Sequence, residues 1–162
     1  MSTAYLGIGS NIDVERNVPA GVAALRTEFG KVTLSPVYRS AAVGFRGDAF
    51  INLAARVETA MQPLQLKDYL NRLEDRFGRR RDVPKFSDRT LDIDILLYDD
   101  LYLHFPALIL PRPEILRYAH VLKPLADLAP SLKHPVTRKT LAEHWASFSE
   151  DNPGLEQIEF LL

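Results

Sequence analysis

The order of its segments predicts an α+β protein: a ferredoxin-like antiparallel sheet with helices packed on it, in a three-layer α/β/α sandwich. First, the 162 residues are 46% hydrophobic and 25% charged, which is typical of one globular domain. Second, segments with strand and helix periodicity follow one another as strand, helix, strand, strand, helix, strand. Third, further helical segments follow them. We therefore expect residues 1–162 to form a single domain.

Composition excludes several classes of site. Without cysteine, the chain forms no disulfide, no zinc site with cysteine ligands and no thiol nucleophile. No apolar run approaches the roughly 20 residues of a membrane helix, and the first residues lack the basic and apolar regions of a signal peptide. We therefore expect a cytoplasmic protein. The net charge of −1 argues against a generally basic nucleic-acid-binding protein.

The first elements follow from periodicity. Small and apolar residues alternate over 3–9, which predicts a strand. Apolar residues recur at helical spacing over 14–29, and Gly30 ends that helix. The β-branched, alternating segment 31–38 predicts a second strand, in which Pro36 indicates an edge position or a bulge.

The middle of the chain predicts a loop, a strand and a helix. Residues 40–49 contain two glycines and little periodicity, so we expect a loop. Residues 50–59 predict a well-buried strand. Pro63 opens a second helix at its first position, and Gly78 ends it. The apolar face of that helix comprises Leu66, Leu70, Leu73 and Phe77.

The remaining elements are shorter. Residues 91–98 predict a strand, and 114–128 predict short helical pieces after a proline-rich loop. Residues 137–148 predict a last helix, with Thr137 as a possible cap. The tail, 156–162, either adds a strand to the sheet or packs on the helices.

Two aspartates on one strand are the most specific chemical feature. Side chains alternate along a strand, so Asp92 and Asp94 share one face, with Cα atoms about 6.6–6.8 Å apart. Like charges repel there, and a divalent cation such as Mg²⁺ resolves the repulsion. The alternative is a strand face in water. The opposite face, toward a core, is expected to hold Leu91, Ile93, Ile95 and Leu97.

A basic loop, 79–90, precedes the aspartates. Arg79, Arg81 and Arg89 carry planar guanidinium groups that bind phosphate oxygens in pairs. Carboxylates that hold Mg²⁺ beside such arginines are the usual equipment of phosphoryl transfer. The sequence lacks a P-loop. Phe86 is either a lid that stacks on a flat ligand or a small hydrophobic contact.

An ordered set of motifs extends from about residue 4 to residue 130. These motifs are Gly9-Ser10-Asn11, Tyr38-Arg39-Ser40 with Gly44, Phe50-Ile51-Asn52, Glu58-Thr59, Pro63, Glu74 with Gly78-Arg79 and Arg81, Arg89-Thr90-Leu91-Asp92-Ile93-Asp94-Ile95, Pro124-Leu125 and Ala129-Pro130. In these motifs the chain resembles the 6-hydroxymethyl-7,8-dihydropterin pyrophosphokinase family of the folate pathway. The family moves pyrophosphate from ATP to a pterin alcohol and releases AMP.

The resemblance implies a role for each matching residue. Two Mg²⁺ ions bridging the ATP phosphates would bind Asp92 and Asp94, with Arg79 and Arg89 near the transferred phosphates. Matching ATP-binding residues would be Glu74, Arg81 and Ile95, and Arg112 and Arg117 would bind ATP in place of the residues that the family usually has. Pterin-binding residues would be Ser40, Ala41, Val43, Phe50, Asn52, Phe86 and His120. It also implies a monomer whose partners are ATP and the pterin, without nucleic acid or membrane.

One segment departs from the family pattern. The family usually has a histidine in the nucleotide site where this chain has Arg112. An arginine that reaches ATP is replaced by Tyr118, with Arg117 one residue earlier, and an aromatic residue that packs on the pterin aligns with His120. The aspartate strand and the arginine loop are intact, which favours retained phosphoryl chemistry.

Two other functions remain to be weighed. The departures leave open a divergent relative that acts on another pterin or only binds pterin or nucleotide. An RNA-binding ferredoxin-like domain would fit the element order and the arginine loop. However, the aromatic pattern of RNA-recognition strands is missing, and the net charge is not basic.

Overall fold

A computed structural model of the protein describes residues 1–41, 47–78, 90–148 and 155–162. Its strands are β1 (Ser2–Ser10), β2 (Val32–Leu34), β3 (Val37–Ser40), β4 (Phe50–Thr59), β5 (Asp92–Tyr98), β6 (Leu103–His104), β7 (Ile109–Leu110) and β8 (Glu156–Ile158). Its helices are α1 (Val14–Phe29), α2 (Pro63–Arg76), the 3-10 helix Pro113–Leu116, α3 (Ala119–Leu128) and α4 (Leu141–Ala146). Within those ranges, no helix is long and apolar enough to cross a membrane.

The main sheet is antiparallel and has the strand order β5-β1-β4-β3-β8, with β2 also paired to β4. The long strands β1 and β4 pair along their whole length, from Ser2 opposite Thr59 to Ser10 opposite Ile51. On its other side β1 pairs with β5, and Gly9 lies opposite Asp92. The predicted antiparallel sheet is confirmed, and β1 and β4, its two longest strands, pair next to each other in its middle.

Helices cover both faces of the sheet, so the predicted three layers are present. One core lies under α1 and α2 and includes Leu6, Leu25 and Leu70, all fully buried. The second core lies under α3 and α4 and is built around Leu122 and Leu125. Burying such side chains supplies most of the folding free energy, at about 1.5–3 kcal/mol for each.

A bulge in β5 changes the predicted facing of one residue. Leu6 lies opposite Ile95, but the preceding residue, Tyr5, lies opposite Leu97, so Leu96 is an extra residue in β5. As a result Ile95 faces the α1/α2 core, whereas Leu97 faces the α3/α4 core. The prediction that Leu97 shares a face with Ile95 is therefore wrong, because simple alternation does not hold across a bulge.

The predicted strand 31–38 is two short strands, β2 and β3. The break falls at Ser35-Pro36, where the chain bends around β4. The backbone N–H of Ser35 donates to the Ala54 carbonyl (2.9 Å), and the Ala54 N–H donates to Ser35 Oγ (2.8 Å). A serine hydroxyl thus replaces the ladder hydrogen bond that a continuous strand would make. Pro36 does mark an irregular position, as expected.

The last third of the chain differs most from the prediction. Helix α4 begins after Thr140, whose Oγ1 accepts the Glu143 N–H (3.1 Å), so Thr140 is the cap and not Thr137. The paired strands β6 and β7 fall in a segment for which no element was predicted. The tail adds strand β8 to β3, which decides between the two expectations for it.

Candidate active site

The sheet face beneath α3 carries a row of polar positions across four strands. Cross-strand pairing places Asp92 opposite Gly9, Gly9 opposite Asn52, and Asn52 opposite Tyr38. Residues directly opposite in an antiparallel pair share a face, so these four lie on one side of the sheet. Gly9 has no side chain, which leaves bare backbone between the aspartates and Asn52.

Asp94 lies two residues after Asp92 in β5, opposite Gly7 and on the same face of the sheet. The two-residue spacing therefore puts both carboxylates on one face, as the sequence predicts. Burial and, to a lesser extent, the charge of Asp92 together raise the pKa of Asp94 to about 7. The ionised form of such a carboxyl group is unfavourable in the folded protein unless a cation lies near it.

Arg112 is the cation that the structure brings to Asp94. Its Nη2 lies 3.6 Å from Asp94 Oδ1, and its Nε lies 2.5 Å from Glu114 Oε2. Burial lowers the pKa of Arg112, but Asp94 and Glu114 raise it by more. Glu114 was not predicted as a site residue, although opposite charges two residues apart at Arg112 and Glu114 in a proline-rich loop are a usable signal.

The edge of β5 that faces away from β1 already makes some hydrogen bonds. The Ile93 N–H donates to Glu74 Oε2 (2.7 Å), and the Arg112 N–H donates to the Leu96 carbonyl (3.0 Å). Residues two apart in a strand direct their backbone groups the same way, so Ile95 also directs its N–H and C=O away from β1. Ile95 therefore presents a backbone donor and acceptor at the edge between these two contacts.

Asn52 is oriented by Ser40. The buried Asn52 amide donates through Nδ2 to Ser40 Oγ (2.7 Å). This leaves Asn52 Oδ1 above Gly9, where an added Cβ would lie 3.5 Å from it. Phe50 lies two residues before Asn52 and opposite Ser40, so it shares this face. Ala41, which follows Ser40, is exposed.

Tyr38 of β3 links this face of the sheet to α3. Its buried hydroxyl donates to Asp127 Oδ2, and Lys123 Nζ lies 2.9 Å from Asp127 Oδ1. Burial raises the pKa of Tyr38, as does the hydrogen bond to Asp127. Tyr38 belongs to a motif noted in the sequence, but its link to Asp127, 89 residues away, has no local signal.

The segment that departs from the family pattern extends from Arg112, just before the 3-10 helix, to His120 in the first turn of α3. Tyr118 stacks on His120, with ring centroids 5.3 Å apart, and burial lowers the pKa of His120. His120 is thus a neutral, half-buried ring near physiological pH. Arg117 is exposed at the end of the 3-10 helix.

Several predicted site residues lie outside the described residues. They are Arg79, Arg81, Phe86 and Arg89 of the basic loop, and Val43 of the loop before β4. Within the described ranges, no group of three or more histidine or acidic side chains could hold a metal ion. A metal at Asp92 and Asp94 would therefore complete its oxygen ligands with water and phosphate, as Mg²⁺ commonly does.

Comparison with known proteins assigns this site to a family. The model of the 7,8-dihydro-6-hydroxymethylpterin-pyrophosphokinase (HPPK) family matches residues 5–130. The chain belongs to the HPPK family. The 2-amino-4-hydroxy-6-hydroxymethyldihydropteridine pyrophosphokinase of Pseudomonas aeruginosa is 38% identical over 135 residues, which cover 81% of this chain and 83% of that protein. The Bacillus subtilis protein of the same name is 31% identical over 159 residues, covering 96% and 95%.

Solved structures show the same fold. A Plasmodium falciparum HPPK-DHPS triple mutant superposes with a TM-score of 0.72 at 14% identity, over 91% of this chain and 42% of that chain. The chain thus spans less than half of that solved chain. HPPK proteins are ATP-dependent diphosphotransferases of folate biosynthesis, and the expected family, fold and reaction class are confirmed.

Proposed function

We propose that this HPPK chain transfers pyrophosphate from ATP to the hydroxymethyl group of 6-hydroxymethyl-7,8-dihydropterin and releases AMP. The polar row across the sheet carries this proposal. Asp92 and Asn52 lie two strands apart, with Gly9 between them, which corresponds to about 10 Å. This distance suits a pterin at Asn52, phosphates over the glycine, and a cation at the aspartates.

The nucleotide end is proposed to lie along the edge of β5. The Ile95 backbone offers a donor and an acceptor to a purine edge, flanked by Glu74 and Arg112. Asp92 and Asp94 fit two Mg²⁺ ions, because they supply oxygen ligands where an ionised carboxyl pair needs positive charge. Bound there, Mg²⁺ would neutralise phosphate charge. We assign Arg81 and Arg117 to further phosphate contacts.

The pterin end is proposed to lie between β4 and the start of α3. Asn52 Oδ1 is available to accept a hydrogen bond, because its amide nitrogen is committed to Ser40. The backbone at Ala41 offers further contacts. Phe50 and His120 supply flat surfaces for the rings of the pterin, and a neutral His120 stacks without the cost of a buried charge. Val43 and Phe86 complete the proposed set.

The reaction needs positioning more than a strong base. The pterin hydroxymethyl oxygen forms a bond to the β-phosphorus, and the bond from that phosphorus to the α,β-bridging oxygen breaks. The bridging oxygen leaves with AMP, and the hydroxyl proton passes to solvent. Arg79 and Arg89 are proposed to stabilise the charge on the transferred group.

A divergent relative is the second candidate, and one observation favours it. Arg112 occupies the position of the usual histidine and contacts Asp94. If this chain binds pterin or nucleotide without efficient transfer, combining Arg112→His with Tyr118→Arg should raise turnover at least tenfold. An unchanged or lower turnover would reject this candidate.

The test of the main proposal is AMP release by the purified protein with ATP, Mg²⁺ and the pterin. We expect AMP and pterin diphosphate in equal amounts, and no AMP without the pterin or after Asp92→Asn. Intact ATP in the presence of a folded protein would contradict the proposal. We also propose that the enzyme acts as a monomer in the cytoplasm, which sedimentation and cell fractionation test.

A further inference from the structure

We propose that Arg112 is a tethered cation that competes with divalent metal for Asp94 in the nucleotide-free enzyme. The proposal rests on the proposed function, because it takes Asp92 and Asp94 as the metal ligands. It assigns Arg112 a role in the order of binding. Without nucleotide the guanidinium neutralises Asp94, and the phosphates of ATP draw it away so that metal enters with the nucleotide.

The Arg112 side chain makes one short and one long contact with carboxylates. Its Nε is 2.5 Å from Glu114 Oε2, whereas its Nη2 is 3.6 Å from Asp94 Oδ1. The Arg112 backbone is held by its N–H bond to the Leu96 carbonyl (3.0 Å). The backbone and Nε are therefore held more closely than Nη2, and a small tilt of the whole planar guanidinium about its contact with Glu114 is enough to break the longer contact with Asp94.

The charges around Asp94 explain why a cation stays there. In the described part of the chain, the carboxylates of Asp92, Glu74 and Glu114 add negative charge around Asp94, and Arg112 is a cation in contact with it. The Arg112 and Asp94 side chains are only 28% and 36% exposed, so water screens their attraction incompletely. A metal ion that arrives alone must displace this guanidinium, and the displaced guanidinium gains no new partner.

ATP changes that competition. Its phosphates carry several negative charges and accept the paired hydrogen bonds that a guanidinium donates best. Arg112 can then leave Asp94 for a phosphate oxygen without losing a partner. The metal that accompanies ATP finds Asp94 vacated at the same moment. Binding of metal and nucleotide is therefore expected to be mutually favourable.

The experiment measures Mn²⁺ binding to the nucleotide-free protein, from the paramagnetic resonance signal of free Mn²⁺. Arg112→Gln should bind Mn²⁺ about five- to tenfold more tightly than the wild type. Arg56→Gln is the matched control, because Arg56 also pairs with a carboxylate (Glu58, 3.1 Å) but lies on the exposed far part of β4. Its Mn²⁺ affinity should stay within about twofold of the wild type.

Further variants separate the proposal from a general effect of charge. Asp94→Asn combined with Arg112→Gln should abolish the gain, and Arg112→Lys should fall between Gln and wild type, because lysine keeps the charge but not the fork. Thermal unfolding establishes that each variant is folded. Unchanged or weaker Mn²⁺ binding in Arg112→Gln overturns the proposal.

The outcomes also distinguish this proposal from the proposed function. If no variant binds Mn²⁺ while AMP release still requires Mg²⁺, the competition is overturned and the transfer reaction stands. If Arg112→Gln binds Mn²⁺ more tightly but no AMP forms with the pterin, Arg112 acts as proposed and the assigned reaction fails.

Discussion

At the scale of single residues, Asp94 carries a charge that the folded protein disfavours. Its pKa of about 7 lies above the value of about 3.9 of an unfolded chain, so ionisation costs stability. The cost is fully present above pH 7 and disappears as the pH falls toward 4. After allowance for partial exposure, we expect Asp94→Asn to raise the metal-free unfolding free energy by about 1 kcal/mol at pH 8.

Urea unfolding at pH 8 and pH 5 checks this expectation, and the same variant should lose at least 100-fold in AMP release. The gain in stability should be smaller at pH 5 than at pH 8. Asp100→Asn is the control, because Asp100 is exposed just after β5 and its replacement removes the same charge. A change in unfolding free energy that is equal at pH 8 and pH 5, or a loss of stability at pH 8, would contradict this expectation.

At the scale of elements, Glu74 joins α2 to β5. Its side chain is buried, and its Oε2 accepts the N–H of Ile93, which lies between the two aspartates. Removing the acceptor leaves a buried donor without a partner. We therefore expect Glu74→Ala to lower the unfolding free energy by about 2 kcal/mol. Glu74→Gln should cost less, because its amide oxygen can still accept.

Denaturant unfolding of both variants measures this difference. Asp68→Ala is the control on the same helix. Asp68 pairs with Arg72 at 3.1 Å in an exposed position, so its loss should cost less than about 1 kcal/mol. If Glu74→Gln is as unstable as Glu74→Ala, the charge matters and the hydrogen bond does not.

Elements with strong local signals could be predicted from the sequence. Helix α1 and strand β4 have the predicted bounds, since helical spacing and Gly30 define the helix and a segment rich in apolar residues defines the strand. The division of 31–38 and the bulge at Leu96 could not be predicted. Both depend on pairing with a distant strand, where Ala54 and Tyr5 determine the register.

The site was predictable to the same extent. The shared face of Asp92 and Asp94 follows from strand alternation alone. The contact of Arg112 with Asp94, 18 residues away, follows from the path of the chain after β5. The same holds for Tyr38 and Asp127, which meet because α3 packs on β3 and β4. No local sequence pattern predicts side-chain contacts of this kind.

At the scale of the whole molecule, the buried His134 and the half-buried His144 should make stability depend on pH. His134 Nδ1 accepts the N–H groups of Val136 (3.2 Å) and Thr137 (3.3 Å), so the ring must be neutral at that nitrogen. Burial lowers the pKa of His134, as does the nearby His144, whose own pKa burial also lowers. As the pH falls, these two histidines therefore bind more protons in the unfolded chain than in the folded chain.

The unfolding free energy should therefore fall as the pH drops through about 6.5 toward the lowered values. Asp94 acts in the opposite sense, so the fall should be steeper in Asp94→Asn. In His134→Asn, whose Oδ1 can accept the same two N–H groups, the fall should be smaller. Denaturation at half-unit steps from pH 7.5 to 5 measures it, and a flat profile in Asp94→Asn would rule it out.

Segments near both ends of the chain contribute strands to the same sheet. Strand β1 begins at Ser2, and β8, near the other end, pairs with β3 from Val37 opposite Ile158 to Arg39 opposite Glu156. This is what a single domain requires, although the prediction of one domain over 1–162 stays a prediction. Limited proteolysis that releases a stable fragment would argue against it.

The occupied edge of β5 also bears on solubility. A sheet edge with a row of free backbone groups recruits strands from other molecules, and such recruitment begins aggregation. On β5, Glu74 accepts the Ile93 N–H and the Arg112 N–H donates to the Leu96 carbonyl, so backbone groups on both sides of Ile95 are already paired. A neighbouring strand needs several such groups in succession and finds no template there, whereas a flat base needs only one donor and one acceptor. The opposite edge is three-residue β8, which is too short to invite pairing. In the described part of the chain, neither edge of the main sheet therefore offers a long row of unpaired backbone groups for association with another strand.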